Sequence, residues 1–429
     1  MRNSTVDLLR PELAVNGGTP VRNKPWIDNY TLGKEEISSA TKAIASGYLS
    51  KFEGSFTPDP PFSFLGGPYV DKMERAWEKY YGIAHAVSVN SATSGLYAAW
   101  GALDIGFGDE VIVPAITMTA CAVGPMIYGA IPVFADVDPN TGCIDPDSIE
   151  ALINDRVKAV LVVHLYGFVA DMDRIRDICK KRGIAIVEDC AQSHGAKYKG
   201  EYVGTLGDIG IFSLNVNKTI QVGEAGVCVT NNADLAYRLQ LIRNHGEAVV
   251  GPAGYSNISN ILGFNYRLSE VHAAMAIDQL DKLDALTETR LEMVSYLNTN
   301  LSSIECLDIF TPSLEDTCVY YQYKLNFDEG MANISGPDLI RALNAEGLQF
   351  FGGYTPLYFQ PTYQQRKMFK HGYPWSAPEN AGSNVSYEKG ICPIAESLTS
   401  RTITSEHVRP PNTMQDMADI VDVFAKVLG

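Results

Sequence analysis

The sequence is poor in the features that mark a secreted, membrane-spanning or nucleic-acid-binding chain. Its eight cysteines, at positions 121, 143, 179, 190, 228, 306, 318 and 392, include no C-x-x-C pair. Thiols scattered in this way, with no Cys/His cluster, argue against a disulfide framework and against a structural zinc site. No apolar run approaches the roughly 18 residues of a membrane span, and the opening stretch MRNSTVDLLRPELAVNGG lacks the apolar region of a secretion signal. Positive charge is short. With 34 Lys+Arg against 50 Asp+Glu the formal net charge is −16, so the positive field needed for broad nucleic-acid or anionic-membrane binding is missing. A small anionic ligand stays open, because a few backbone amides bind phosphate on an acidic protein. Neither G-x-G-x-x-G nor G-x-x-x-x-G-K-[ST] occurs, which removes the main support for dinucleotide and P-loop readings. The chain reads as cytoplasmic, without a metal site and without nucleic-acid or membrane partners.

What is present is a large α/β core. The length of 429 residues corresponds to two or three domains at about 150 residues each. Between 85 and 230 short apolar β-branched runs alternate with helical patterns. The candidate strands number seven: AVSVN (86–90), EVIVP (110–114), PVFADV (132–137), AVLVVHL (159–165), AIVED (185–189), IGIFSL (209–214) and GVCVTN (226–231). Such alternation predicts a mainly parallel sheet covered on both faces. A long helical pattern from Ser269 to Leu301 leads out of it, and the rest forms a smaller α+β unit ending in the amphipathic MQDMADIVDVFAKVLG. The expected division is an N-terminal arm with the large domain over 1–280, and a linking helix with a small C-terminal domain over 281–429. The Pro-, Gly- and Phe-rich stretch 50–68 reads as a long loop.

Three segments carry chemistry. In the first, strand AVSVN runs into SATSG and then a helix; small residues there leave backbone N–H groups free at a positive helix end, and Ser91, Thr93 and Ser94 add hydroxyls, which suits a phosphate or simply caps the helix. The second is VEDCAQSHG (187–195), a carboxylate pair at the C-terminal end of a buried strand, where open α/β sheets place ligands. Successive strand side chains point to opposite faces, so only one of the pair faces a given ligand; a helix cap is the plainer reading. The third is FSLNVNKTIQVGEAG (212–226), which sets Ser213 and Lys218 in a turn between two strands, although lysine at a turn is usually solvated.

Their order is more specific than any one of them: a small-residue phosphate turn, then E-D-x-A-Q, then S-x-x-x-x-K-T-x-x-x-G-E. In this the chain resembles the DegT-type (DegT/StrS-like) family of pyridoxal-phosphate-dependent sugar aminotransferases. The likeness extends through LAVNGGTPVRNKPW, GGPYVDKMERAWEKYYG, VSVNSATSGLYAA, GDEVIVPAITMTA, LIRNHGE, LGFNYRLSEVHAA and PIAESL. It implies a fold type I transferase with a seven-stranded sheet, and pyridoxal 5'-phosphate as cofactor. It further implies that Lys218 joins the cofactor as a Schiff base, that Asp189 pairs with the pyridine nitrogen, and that Gln192 meets the ring's 3′ oxygen. Ser213 and Thr93, with backbone groups around Ala92, would hold the phosphate. Asn265 would reach the phosphate of a neighbouring subunit, making a homodimer with shared sites. Met118 fills the slot where many relatives stack an aromatic or imidazole ring, and a thioether contact there contributes about 0.3–1.5 kcal/mol. His245 and Tyr354 match regions at the substrate mouth, with His245 reading equally as an ordinary charge at a helix C-terminus, whereas His194 reads as structural.

The implied reaction is transfer of an amino group from L-glutamate or L-glutamine to a keto sugar, nucleotide-activated in the leading reading. The alternatives are amination of a cyclitol ketone, a sugar dehydratase, and a non-catalytic regulator that binds the cofactor. Dehydratases of the family carry histidine in place of the lysine, so Lys218 argues against that branch.

Overall fold

The computed structural model describes residues 6–56 and 63–429; the central part of the 50–68 stretch, 57–62, lies outside them. All seven expected strands form, with ends shifted by at most two residues, as β1 His85–Val89, β2 Glu110–Pro114, β3 Ile131–Ala135, β4 Val157–Val163, β5 Ala185–Asp189, β6 Ile209–Ser213 and β7 Gly226–Thr230. They make one sheet in the order β1-β7-β6-β5-β4-β2-β3. Only β7 runs against its neighbours; β6, β5, β4, β2 and β3 pair in parallel. β2, β3, β6 and β7 are buried at every position, which is why their sequences are near-continuous apolar runs rather than alternating ones.

Helices flank the sheet. α1 (Lys34–Ala45) and α2 (Pro68–Tyr81) pack on the long α8 (Glu270–Leu301). α3 (Ala92–Ala102) packs on α4 (Ala120–Ile127), on α7 (Ala233–Arg243) and on β6 and β7. α5 (Pro146–Leu152) and α6 (Met172–Lys180) pack together, with α6 against β5. α8 begins at Ser269, whose hydroxyl accepts the His272 N–H, and runs unbroken for 32 residues. Residue 280 therefore falls inside one continuous helix.

Beyond α8 lies a second, antiparallel sheet, built from β8 (Leu307–Asp308), β9 (Tyr323–Phe327), β10 (Phe351–Gly352) and β11 (Thr402–Ser405) in the order β8-β9-β11-β10. The terminal helix α9 (Met414–Leu428) returns to pack on α8. Among the described residues no helix is long and apolar enough to cross a membrane. The parallel strands all point their C-terminal ends one way, and because β7 is reversed its first residue, Gly226, lies at that same edge. It pairs with Val89 at the end of β1 and with Ser213 at the end of β6.

Candidate active site

A cavity of about 430 Å³ opens at this edge, lined by Ala92, Thr93, Met118, Cys121, Asp189, Gln192, Ser213, Lys218 and Tyr354 among others. Residues spread over more than 260 positions are brought together because each lies at a strand end or just beyond it. A wider groove of about 890 Å³ runs along α8 beside Lys197, Asp284 and Glu288, but Gly195 is its only motif residue among those described and it holds none of the candidate cofactor residues.

The first wall is the N-terminus of α3. Ser91 Oγ accepts the Ser94 N–H at 3.1 Å, and Ser94 Oγ donates to Asn90 Oδ1 at 2.6 Å. Two of the hydroxyls expected on a phosphate are thus engaged in capping, whereas Thr93 has no hydrogen-bond partner for its hydroxyl among the described residues. The free N–H groups of the first helical turn and the helix dipole favour an anion here.

β5 supplies the second wall and separates its two carboxylates as strand alternation requires. Asp189 faces the cavity. Its Oδ1 accepts the Ala191 N–H at 2.9 Å and its Oδ2 accepts the Cys121 thiol at 3.2 Å. Glu188 points away and accepts N–H groups from Gly204, Leu206 and Gly207 at 2.8, 2.8 and 2.6 Å. It also meets His164 Nε2 at 3.0 Å, while His164 Nδ1 accepts the Ala170 N–H. Cys190 stands beside this pair. The polar groups of Glu188 and His164 are satisfied by the protein itself, so Glu188 anchors the loop under β5 rather than serving the cavity.

Gln192 links the two ends of the site. Its Oε1 accepts the Tyr166 N–H at 2.7 Å, which fixes the amide so that Nε2 donates to the Tyr354 hydroxyl at 3.1 Å. Tyr354 comes from the loop after β10, in the second sheet's half of the molecule. Met118 is 51% exposed at the cavity wall, with its sulfur 3.1 Å from the Ala120 N–H.

The third wall is the turn carrying Lys218, which is tied down from three directions. Asn29 Nδ2 donates to the carbonyls of Val216 and Lys218, both at 2.8 Å. Arg409 donates to the Asn217 carbonyl at 3.1 Å, and Arg290 to Thr219 Oγ1 at 2.8 Å. Burial lowers the Lys218 pKa below the ordinary lysine value, against the opposing pull of Asp189, Glu406 and Cys121. His194, fully buried against Phe212, is pushed down to about 3 by burial and then by the charges of Lys218 and Arg290. It stays neutral and takes no part in the cavity.

Two expected residues lie elsewhere. His245 follows the end of α7 in a left-handed conformation with φ 55°, its ring 3.8 Å from Glu247 and outside the cavity. Its neighbours bear the structural load. Arg243 forms a buried ion pair with Glu74 at 2.7 Å and donates to the Leu65 carbonyl, and Asn244 donates to the carbonyls of Glu53 and Phe64. The LIRNHGE segment therefore pins the two described ends of the 50–68 stretch. Asn265 is exposed, with Oδ1 accepting from Arg267 Nε at 2.8 Å. Cys121 and Tyr166 were not singled out from the sequence. Cys121 is the second residue of α4, and nothing in the local sequence marks it out.

A depressed amine, a buried carboxylate, an amide donor and a helix N-terminus on one cavity suit a flat, anionic, carbonyl-bearing ligand. The sequence model of the DegT/DnrJ/EryC1/StrS aminotransferase family matches residues 62–421. The L-glutamine:2-deoxy-scyllo-inosose aminotransferase of Streptomyces kanamyceticus is 33% identical over 97% of this chain and 96% of its own. The L-glutamine:scyllo-inosose aminotransferase of Streptomyces griseus is 33% identical over 78% of each chain. Among solved structures, an aminotransferase from Psychrobacter cryohalolentis superposes with a TM-score of 0.80 at 25% identity, covering 94% of this chain and 100% of that one.

Proposed function

The chain belongs to the DegT/DnrJ/EryC1/StrS aminotransferase family, and from that premise we propose that it transfers an amino group from L-glutamine to the ketone of a polyhydroxylated ring, a cyclitol ketone in the first place. It is a pyridoxal-phosphate-dependent aminotransferase. The donor and acceptor are those in the names of relatives that match it over nearly its whole length. The cavity supports an uncharged acceptor: among the described residues Lys218 is the only cation in its lining, so nothing described there grips a nucleotide diphosphate.

The residues present fit the cofactor. Gly226 lets β7 approach the α3 turn so closely that an added Cβ would lie 2.6 Å from the Ala92 nitrogen. That close approach holds a cradle of N–H groups at one end of the cavity, and Asp189 and Lys218 line it as well. When bound, pyridoxal phosphate supplies an electron sink for the carbon that loses its proton.

The chain's own groups do the rest in this reading. The α3 N-terminus, Thr93 and Ser213 hold the phosphate and fix the ring's position. Asp189 keeps a proton on the ring nitrogen, because a buried carboxylate favours a cationic neighbour. Gln192 Nε2 donates toward the ring's oxygen from an amide that Tyr166 holds in place. Lys218 would hold the cofactor at rest, and its amine, when free, would move a proton between the two reacting carbons. Its lowered pKa supplies the neutral amine that both tasks need. Tyr354, fixed by Gln192, faces the acceptor's hydroxyls. Asn265 serves the phosphate of a partner subunit, so the working unit is a homodimer, with residues 1–280 carrying the cofactor and 281–429 closing over it. Its eight buried cysteines are all free thiols, which supports a cytoplasmic setting.

The observation that carries this reading is that Lys218, Asp189, Gln192 and the α3 N-terminus share one cavity. The test is to load the purified protein with pyridoxal phosphate and supply L-glutamine with 2-deoxy-scyllo-inosose, or with a keto sugar, following the aminated product by mass spectrometry. Amination of the cyclitol ketone is expected. Amination of the keto sugar alone would move the acceptor to the sugar class, and no amination with any donor would remove the reading.

A further inference from the structure

One aromatic ring beside Lys218 has no part in the roles above. The Lys218 Nζ lies 4.4 Å from the ring centroid of Tyr321, a residue only 5% exposed on the segment that enters β9. Its place is fixed by the turn after β4. Gly167 there has φ 89°, and an added Cβ would stand 2.6 Å from the Tyr321 nitrogen and 2.7 Å from that of Tyr320, so only glycine lets the two segments touch. The Val319 N–H donates to the Gly167 carbonyl at 2.9 Å and the Gln322 N–H to that of Tyr166 at 3.3 Å. Tyr166 itself holds φ 58°, a conformation that costs a non-glycine residue energy, and its N–H is the group that orients Gln192. One strained turn thus sets both the Gln192 amide and the aromatic face beside Lys218.

We propose that Tyr321 is a positioning residue whose ring face receives the Lys218 ammonium whenever that group is not bonded to the cofactor, and so keeps it within reach of the reacting carbons. This rests on the assignment of Lys218 as the proton-moving residue. A lysine that has taken a proton in a buried site needs a partner, since an isolated ammonium away from water is expensive. A carboxylate in contact would lock it as an ammonium and spoil it as a base. An aromatic face is the weaker partner: it holds the cation by its quadrupole and releases it readily. The charged and titratable groups acting on Lys218 are Asp189 at the end of β5, Glu406 after β11 and the Cys121 thiol on α4, with neutral His194 nearby. Asp189 already accepts the Ala191 N–H and the Cys121 thiol, and Glu406 accepts a hydrogen bond from Gln322 Nε2 at 2.9 Å, which leaves the Tyr321 face as the contact for the amino group.

The test uses the full-length, cofactor-free protein. Amino groups are labelled with trace acetic anhydride between pH 6 and 11, and the Lys218 peptide is quantified by mass spectrometry in the parent, Tyr321→Phe and Tyr321→Leu proteins. The phenylalanine variant keeps the face and is expected to titrate with the parent. The leucine variant loses it, and its Lys218 midpoint is expected to fall by about one pH unit, a tenfold change equal to about 1.4 kcal/mol. If the ring only fills space, leucine lets water in and the midpoint rises toward that of ordinary lysine. A rise, or no change, overturns the proposal. Tyr321→Met, closer in volume, answers the same question if the leucine variant does not fold. Failure of the Lys218 assignment would show separately, as a cofactor absorption band surviving in Lys218→Ala.

Discussion

Gly226→Ala should weaken the grip on the cofactor's phosphate while sparing the fold. Gly226 is where β1 and β6 meet across the reversed strand, and it abuts the turn that opens α3. A Cβ added there would lie 2.6 Å from the Ala92 nitrogen, 2.6 Å from the Ser91 carbonyl carbon and 2.8 Å from its oxygen. Ordinary contact begins at 3.4 Å, so the turn has to retreat by about 0.8 Å; a displacement near 1 Å in a positioned site costs up to about a hundredfold. The strain of one extra methyl in a packed interior adds a stability loss of about 1–3 kcal/mol, well within what a chain of this size tolerates. The assay is an equilibrium titration of the cofactor-free protein with pyridoxal phosphate and, in parallel, with pyridoxal, which lacks the phosphate. The Kd for pyridoxal phosphate should rise about 10- to 100-fold, or about 1.4–2.7 kcal/mol, and that for pyridoxal by less than threefold. Equal weakening of both would mean that the substitution loosens the whole site. Unchanged affinity in a folded variant would mean that the phosphate is held elsewhere, and the placement of Ala92 and Thr93 would fall with it.

Three further outcomes follow from other contacts. Asp189→Asn keeps the shape and the Ala191 hydrogen bond but removes the charge, so turnover should fall by about 10²- to 10³-fold; a loss below tenfold in a steady-state assay would separate Asp189 from the ring nitrogen. Arg243→Met strands Glu74, whose side chain is 11% exposed, without its cation, and should cost about 3–5 kcal/mol in urea unfolding; a loss under 1 kcal/mol would show that Glu74 finds water or another partner. His194 titrates near 3 in the folded chain against an ordinary 6.5, so the unfolded chain binds more protons between those values and stability falls as pH drops through that window. From pH 7 to pH 5 this contributes about 2 kcal/mol of loss, which His194→Leu should abolish in paired urea titrations; equal acid sensitivity of the two proteins would refute it.

The sheet was legible in the sequence because burial on both faces leaves a plain signature: AVLVV, IGIFS and GVCVT have no polar face to hide. The ends of those strands were legible too, and with them the residues of the cavity. β5 is the clearest case. Alternation along a strand says that Glu188 and Asp189 must diverge, and the structure sends Asp189 to the cavity and Glu188 to the 204–207 loop. What stayed hidden depends on long-range geometry. Nothing local to Tyr321 announces that Gly167 will admit it to contact more than 150 residues away in sequence, and nothing around Gln192 names Tyr166 and Tyr354 as its partners. In LIRNHGE the histidine drew attention as the residue with solution chemistry, yet α7 ends on Arg243 with that side chain inward, and the next two residues leave the helix in different directions. Sequence spacing could not decide which of the three would face the core.

The same geometry explains how one site can keep its chemistry fixed while its substrate range changes. Asp189 and Ser213 close strands of the large sheet, while Thr93 opens α3 and Lys218 sits in the turn that Asn29, Arg409 and Arg290 tie down. Tyr354 and Tyr321 arrive from the other half of the chain and meet the site at the Tyr166–Gly167 turn and at the Gln192 amide. Because Gln192 Oε1 is committed to the Tyr166 N–H, its Nε2 donates to Tyr354, and the tyrosine's own proton is not used by that bond. Tyr354 is therefore oriented by Gln192, so in the proposed reading the substrate contact is set by the cofactor contact. Changes in the loop around Tyr354 can reshape the mouth for a different ring without moving the lysine or the carboxylate. A change at Gly167 or Tyr166 could not be confined in that way, since it would disturb amide, tyrosine and lysine together.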